Sequence, residues 1–332
     1  MQGKNKNRPI FIVGCERSGT TMLRLILCSH KNIAIPPQTK YAKKLYKRRL
    51  LFGNLSKADN RRKLRNWFLN NHNKRTKIID LDIDKNEVQK ELQITGNTLG
   101  AFLSVIPKIY LKKFDKIRWG DKRPYYIKYL PQLFKLFPDA QVIHIIRDGR
   151  DVVASLKRMP WWNKNSISAM LNWQEAIHRG VTARRNYSSD QFIEIKYEDI
   201  INEPENSIKA VCKFLDEEYS ESLLEFHKIA KESVPSYKMG WHSATKSKIN
   251  AASIGRWKKE LEQWEISLFN NKFKNELELY KYEIQDKPKK LSIGIQLKFY
   301  FTKLNYKFNQ YGARFFDKVI SILYRWELDY RK

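Results

Sequence analysis

"IFIVGCERSGTTML", residues 10–23, is the stretch on which the reading of this chain turns. Four large apolar residues run into Gly14, and a second glycine, Gly19, precedes a segment of helical character. From Gly14 the spacing is G-x-x-x-x-G-T-T, whereas loops that cradle nucleoside triphosphates read G-x-x-x-x-G-K-[ST]. A strand that ends in such a loop and passes into a helix turns the backbone NH groups of Arg17 to Thr21 toward one anion. The lysine that would reach the β and γ phosphates is replaced by Thr20, so a ligand ending in one phosphate is expected. Ser18, Thr20 and Thr21 can add hydroxyl donors to that phosphate. A glycine-rich turn without a ligand would not require strand, loop and helix in this order.

A second junction of the same kind lies at "VIHIIRDGRDVVASL", residues 142–156. An apolar strand ends in Arg147 and leads into a helix that starts near Asp148 to Asp151, and Ser155 follows two turns later. Arg147 and Ser155 are placed to hold a second anion at the same sheet edge. Two such sites imply a nucleotide phosphorylated at two positions. Asp148 and Asp151 read as residues that cap and charge-balance the helix start. His144, inside the apolar run, reads as a core histidine with its hydrogen bonds satisfied.

Around these junctions, five runs have strand character: residues 9–14, 32–36, 116–122, 141–147 and 192–198. Helical stretches alternate with them at 21–29, 98–112, 124–137, 150–158 and 166–187. Strands alternating with helices predict one α/β domain, a three-layer sandwich with a central parallel sheet of about five strands flanked by helices. The nearly continuous apolar character of the first and fourth runs marks them as doubly buried, central strands. The domain is expected to span residues 1–284. Residues 41–78 read as a basic helical insertion, a lid or acceptor-binding subdomain, and residues 285–332 as a basic amphipathic tail.

The 332-residue chain carries 64 Lys and Arg against 35 Asp and Glu, a formal charge of +29. Such a surface attracts anions, whether nucleic acid, acidic glycan or anionic lipid. The excess is concentrated. Residues 40–77 hold fourteen basic residues against one acid, and residues 287–332 hold eleven against three. Cys15, Cys28 and Cys212 are far apart in sequence, which points away from a disulfide framework or zinc site and toward a reducing compartment. The apolar run near the N-terminus is too short for a signal-peptide core or a membrane span, so a cytoplasmic location is expected. The tail has a charge every turn or two; it cannot cross a bilayer but could pack as a helix pair on the core or lie on a membrane surface.

Taken together, "GCERSGTTML" and "IIRDGRDVVAS" resemble the sulfotransferases that use 3′-phosphoadenosine-5′-phosphosulfate, closest to the branch of bacterial and tyrosylprotein sulfotransferases. The resemblance implies that the first loop holds the 5′-phosphosulfate and the second junction the 3′-phosphate. It also accounts for the missing lysine, since that donor carries one phosphate beside its sulfuryl group and the reaction uses no metal. "WGDKRPYY" (119–126) is similar to the family segment whose lysine, here Lys122, approaches the sulfuryl group. "FIEIKYEDIINEP" (192–204) places Tyr197 near the nucleotide. "ASIGRWKKEL" (252–261) resembles the nucleotide-clamping loop, with Ser253, Gly255, Arg256 and Trp257 in matching places. In this reading Arg17 and Lys122 stabilise charge on the departing phosphate.

One position departs from the family. "IAIPPQTKY" (33–41) has Gln38 where relatives carry the glutamate that removes the acceptor's proton, and an amide has no useful basicity. Three explanations remain open: Asp121 serves as base, the proton leaves late to solvent, or the chain binds nucleotide with little turnover. For the acceptor, the basic insertion favours an acidic glycan or lipid-linked sugar, with tyrosine in an acidic peptide second. A nucleic-acid-binding protein is the non-enzyme alternative, but no recognition signature accompanies the charge. A small-molecule kinase is disfavoured by Thr20 and by the absence of a clear magnesium-binding acid after a strand.

Overall fold

The fold is seen in a computed structural model that describes residues 7–71, 78–228, 249–284 and 289–323. Residues 72–77 of the basic insertion, and residues 285–288 and 324–332 of the tail, lie outside the described residues.

Five strands form one sheet, β1 (Ile10–Gly14), β2 (Ile33–Ala34), β3 (Arg118–Lys122), β4 (Gln141–Ile146) and β5 (Phe192–Lys196), in the order β2-β3-β1-β4-β5. Every pairing is parallel. β1 and β4 are buried along their whole length, which explains why their sequences are apolar without alternation. The β2 strand is shorter than the apolar run 32–36 because Pro36 and Pro37 lack the NH groups a longer ladder would need.

Helices cover both faces. On one face lie α1 (Thr20–Cys28), and later α9 (Tyr197–Asn202) and α10 (Pro204–Leu215), packed over Ile10, Ile12, Ile143 and Ile145. On the other lie α6 (Leu130–Leu136), α7 (Gly149–Lys157) and α8 (Ser166–Asn186), packed over Phe11, Val13, Val142 and Ile146. The expected helix 124–137 is divided: a 3-10 stretch, Pro124–Tyr129, precedes α6, and Pro131 sits in the first turn of the restarted helix, where its missing NH costs no bond.

The insertion folds as helices, α2 (Tyr41–Phe52) and α3 (Ala58–Asn70), followed by α4 (Lys85–Ile94) and α5 (Leu99–Lys113). These four share a small core around Leu45, Phe68, Leu92 and Phe102. The tail contains a single 31-residue helix, Ile293–Leu323, rather than a pair, and it packs against α8. No helix among the described residues is long and apolar enough to cross a membrane.

β1 lies between β3 and β4, so the carboxyl ends of both neighbours flank the loop that follows it. The chain passes from one side of β1 to the other between β3 and β4, making this rim the crevice where open α/β sheets bind ligands. Trp173 of α8 anchors one side of it. Its indole NH donates to the Arg147 carbonyl at 2.9 Å, and its ring lies so close to Gly149 that a Cβ there would fall 2.5 Å from it. Trp173→Phe keeps most of the ring packing but leaves that buried carbonyl without its donor. A loss of about 1–3 kcal/mol in urea unfolding is expected.

Candidate functional site

The loop 15–19 closes tightly. Arg17 and Gly19 both take positive φ, 73° and 99°, and a Cβ on Gly19 would meet the Tyr197 ring at 2.4 Å. Only glycine fits there, so the loop and the start of α9 are fitted to each other. Thr20 and Ser18 are buried, and Ser18 Oγ has no hydrogen-bond partner among the described residues. A buried hydroxyl without a partner, at a helix N-terminus, is what an anion-binding loop leaves for its ligand.

The second junction reaches this loop directly. Arg17 Nε donates to Ser155 Oγ at 2.9 Å, and Arg147 Nη1 donates to the Arg17 carbonyl at 3.0 Å. The Arg147 guanidinium lies 4.5 Å from the centre of the Tyr197 ring, and its Nη2 donates to the Ser253 carbonyl. Tyr197 and Ser253 share a hydroxyl hydrogen bond of 2.7 Å. Residues from four distant parts of the sequence thus meet at one rim. Arg147 Nε is likewise buried without a partner among the described residues.

The loop 253–257 is held by Asp151, whose carboxylate accepts from the Gly255 NH at 2.9 Å and the Trp257 NH at 3.0 Å. Gly255, with φ 72°, makes the turn. Asp148 caps α7 as expected, accepting from the Arg150 NH at 2.9 Å, but Asp151 clamps this loop instead of acting as a cap. Trp257 is buried, and its ring is covered by the Arg150 guanidinium at 3.9 Å. Arg256 pairs with Glu260 at 2.6 Å. Arg158, at the end of α7, was missed in the sequence; its charge acts on Arg17, as does that of Arg147. His144 is a satisfied core residue, 2.9 Å from Glu194.

Lys122 closes the other side of the loop. It is buried at the end of β3, donating to Thr21 Oγ1 at 3.3 Å and Gln38 Oε1 at 3.4 Å. Asp121 is not part of this group. The register pairs Lys122 with Ile12 and Asp121 with Phe11, so the two side chains point to opposite faces of the sheet. Asp121 accepts from the Tyr126 hydroxyl at 2.8 Å and lines a cavity of about 560 Å³ between the sheet edge and α2. Tyr41, Tyr46, Leu103, Trp119 and Tyr125 give that cavity an apolar, aromatic wall, with Lys43, Lys47, Arg49 and Arg123 among its lining residues. Asp121 is the sole carboxylate among the described residues that line it.

The Sulfotransferase family matches residues 9–221. The chain belongs to the sulfotransferase family, enzymes that transfer sulfuryl groups. Protein-tyrosine sulfotransferase A of Caenorhabditis elegans is 25% identical over 230 residues, which is 67% of this chain and 53% of that protein. The chain therefore spans about half the length of that relative. Among solved structures, the sulfotransferase domain of the Synechococcus PCC 7002 olefin synthase is similar with a TM-score of 0.55 and 18% identity, over 86% of this chain and 98% of that one. The sulfotransferase domain from the curacin biosynthetic pathway gives 0.54 and 19%, over 84% and 99%. These two likenesses establish the shared α/β fold.

Burial, then the neighbouring guanidinium of Arg147 and that of Arg158, push Arg17 down to about 10. An anion bound across Arg17 favours its charged form, so the affinity it contributes is complete below that value and is lost as pH rises through it. Binding of adenosine 3′,5′-bisphosphate should hold steady from pH 7 to about 9 and weaken severalfold by about pH 10.5. Calorimetric titration across that range, with a melting curve at each pH, checks it.

Proposed function

We propose that this chain transfers the sulfuryl group of 3′-phosphoadenosine-5′-phosphosulfate to a hydroxyl of an amphiphilic acceptor, a lipid-linked sugar or acidic glycolipid. The observation that carries the donor is the convergence of Arg17, Arg147 and Ser155 on one rim beside the buried, unpartnered Ser18 hydroxyl. In this reading the loop NH groups with Ser18, Thr20 and Thr21 hold the 5′-phosphate. Arg147, Ser155, Ser253 and Arg158 surround the 3′-phosphate, and Tyr197, Gly255, Arg256 and Trp257 shape the loop that closes over it.

The reaction breaks the bond between sulfur and the bridging phosphate oxygen and forms one between sulfur and the acceptor oxygen, whose proton must leave. Lys122 and Arg17 stabilise the charge that develops on the departing phosphate, an effect worth most in a site closed to water. Gln38, hydrogen-bonded to Lys122, orients but takes no proton. Asp121, held by the Tyr126 hydroxyl on the face of β3 opposite Lys122, belongs to the cavity wall, so we assign the acceptor's proton to late loss to solvent. The cavity supports an acceptor with an apolar portion, and the basic residues of the insertion favour one that also carries negative charge. That preference would place the enzyme at a membrane face, where such acceptors reside. Tyrosine in an acidic peptide is the second reading, favoured by the C. elegans relative.

Incubation with radiolabelled donor and fractionated glycolipids, glycans and peptides tests this. Label is expected in a glycolipid fraction. Lys122→Ala should lower turnover by about 10²–10³-fold with donor affinity retained. Asp121→Asn should leave turnover within a fewfold of the parent's, whereas Gln38→Glu, which puts a carboxylate beside Lys122, should raise it by about tenfold or more. A loss of about 10²-fold in Asp121→Asn with donor affinity retained would instead make Asp121 the base.

A further inference from the structure

We infer that the tail helix Ile293–Leu323 seats the protein on an anionic bilayer through the face it turns away from α8. This goes beyond the reaction, because it concerns a surface that touches neither donor nor cavity.

The helix has two apolar faces. The inner one is packed: Phe299 is buried, and Ile295 and Tyr306 lie against the same core. Polar contacts lock this face. The Tyr306 hydroxyl donates to Glu175 of α8 at 2.8 Å, and Lys128 bridges Glu175 at 2.6 Å and the Tyr306 hydroxyl at 3.1 Å. About half a turn away, by the geometry of 3.6 residues per turn, lies a second stripe. Leu297, Phe301, Leu304 and Phe308 are 66%, 74%, 69% and 78% exposed, with Ile293 at its start and Tyr300 on its margin. Six of the thirteen exposed large hydrophobic side chains among the described residues belong to this one helix. The inner face already anchors the helix, so core packing does not account for the outer stripe.

Charge selects the occupant. Between residues 289 and 310 there are five lysines (289, 290, 298, 303 and 307) and no acid. On a helical projection Lys298 falls on one side of the stripe and Lys303 and Lys307 on the other. An apolar stripe edged by lysines, with a tyrosine at the boundary, matches a helix lying in the plane of an anionic lipid surface. A second copy of the chain fits poorly, since two such stripes would bring their lysines together on molecules that each carry +29. A single helix with this much charge is expected to bind reversibly, with both apolar insertion and lipid charge required.

The test is cosedimentation of the full chain with vesicles of phosphatidylcholine alone and of phosphatidylcholine mixed equally with phosphatidylglycerol. Binding is expected to the mixed vesicles, at least tenfold weaker to the neutral ones, and weaker again at high salt. The double variant Leu297→Glu, Phe301→Glu should lose at least tenfold in binding to the mixed vesicles. Its melting temperature and its affinity for adenosine 3′,5′-bisphosphate should match the parent, since both side chains project into solvent. The vesicle measurement requires no acceptor, so it succeeds or fails separately from the proposed reaction. Equal binding by parent and variant, or no binding to anionic vesicles, overturns the inference. So does a parent that sediments as a dimer which the double variant dissociates, because the stripe is then an interface between copies.

Discussion

Arg147 is the contact on which the site depends. Its guanidinium binds the Arg17 carbonyl of the phosphate loop and the Ser253 carbonyl of the late loop, and it lies over the Tyr197 ring. It also faces Asp151 at 3.7 Å. One buried cation thereby fixes the relative positions of β1's loop, α7, the start of α9 and residues 253–257. The same arrangement brings Arg17 close enough to lower its affinity for a proton. Like charges held together in a buried site are unfavourable until an anion joins them, and in the proposed reading that term becomes affinity for a phosphate.

The remainder of the fold positions these groups. The parallel sheet puts the ends of β3, β1 and β4 side by side, so Lys122, the phosphate loop and Arg147 arise from adjacent strands without a long-range search. Trp173 fixes the Arg147 carbonyl, and Asp151 ties down Gly255 and Trp257. The tail also reaches this region. Tyr306 shares Glu175 with Lys128, Lys128 binds Asn172, and Asn172 donates to Glu16 of the phosphate loop at 2.8 Å. A continuous polar chain thus runs from the tail helix to the loop.

Much of this was legible in the sequence because the informative residues stand at strand ends. Apolar runs without alternation located β1 and β4, and the glycine spacing located the loop. The resemblance brought forward Lys122, Tyr197 and the late loop; the fold sets Lys122 against Thr21 of the phosphate-loop helix and Tyr197 against Ser253 of the late loop. Sequence spacing did not show which face of a strand each residue takes. Asp121 and Lys122 are neighbours in the chain, yet the alternation of β3 separates them, and only the pairing with β1 reveals it. Nor could it show that Asp151 would reach across to backbone NH groups more than a hundred residues away. Arg158 and Trp173 carry no motif; their roles come from packing alone. The tail helix was ambiguous because it has two apolar stripes, which makes its periodicity fit a packed helix and an interfacial one alike.

The central claim is that two anion pockets at one sheet rim grip a single bisphosphorylated adenosine. Calorimetric comparison of adenosine 3′,5′-bisphosphate with adenosine 5′-monophosphate, on the parent chain and on Arg147→Ala, tests it most directly. The account predicts that the bisphosphate binds the parent at least about tenfold more tightly, a difference of about 1.4 kcal/mol or more, and that Arg147→Ala abolishes this preference. Equal affinity of the two nucleotides for the parent chain would contradict it.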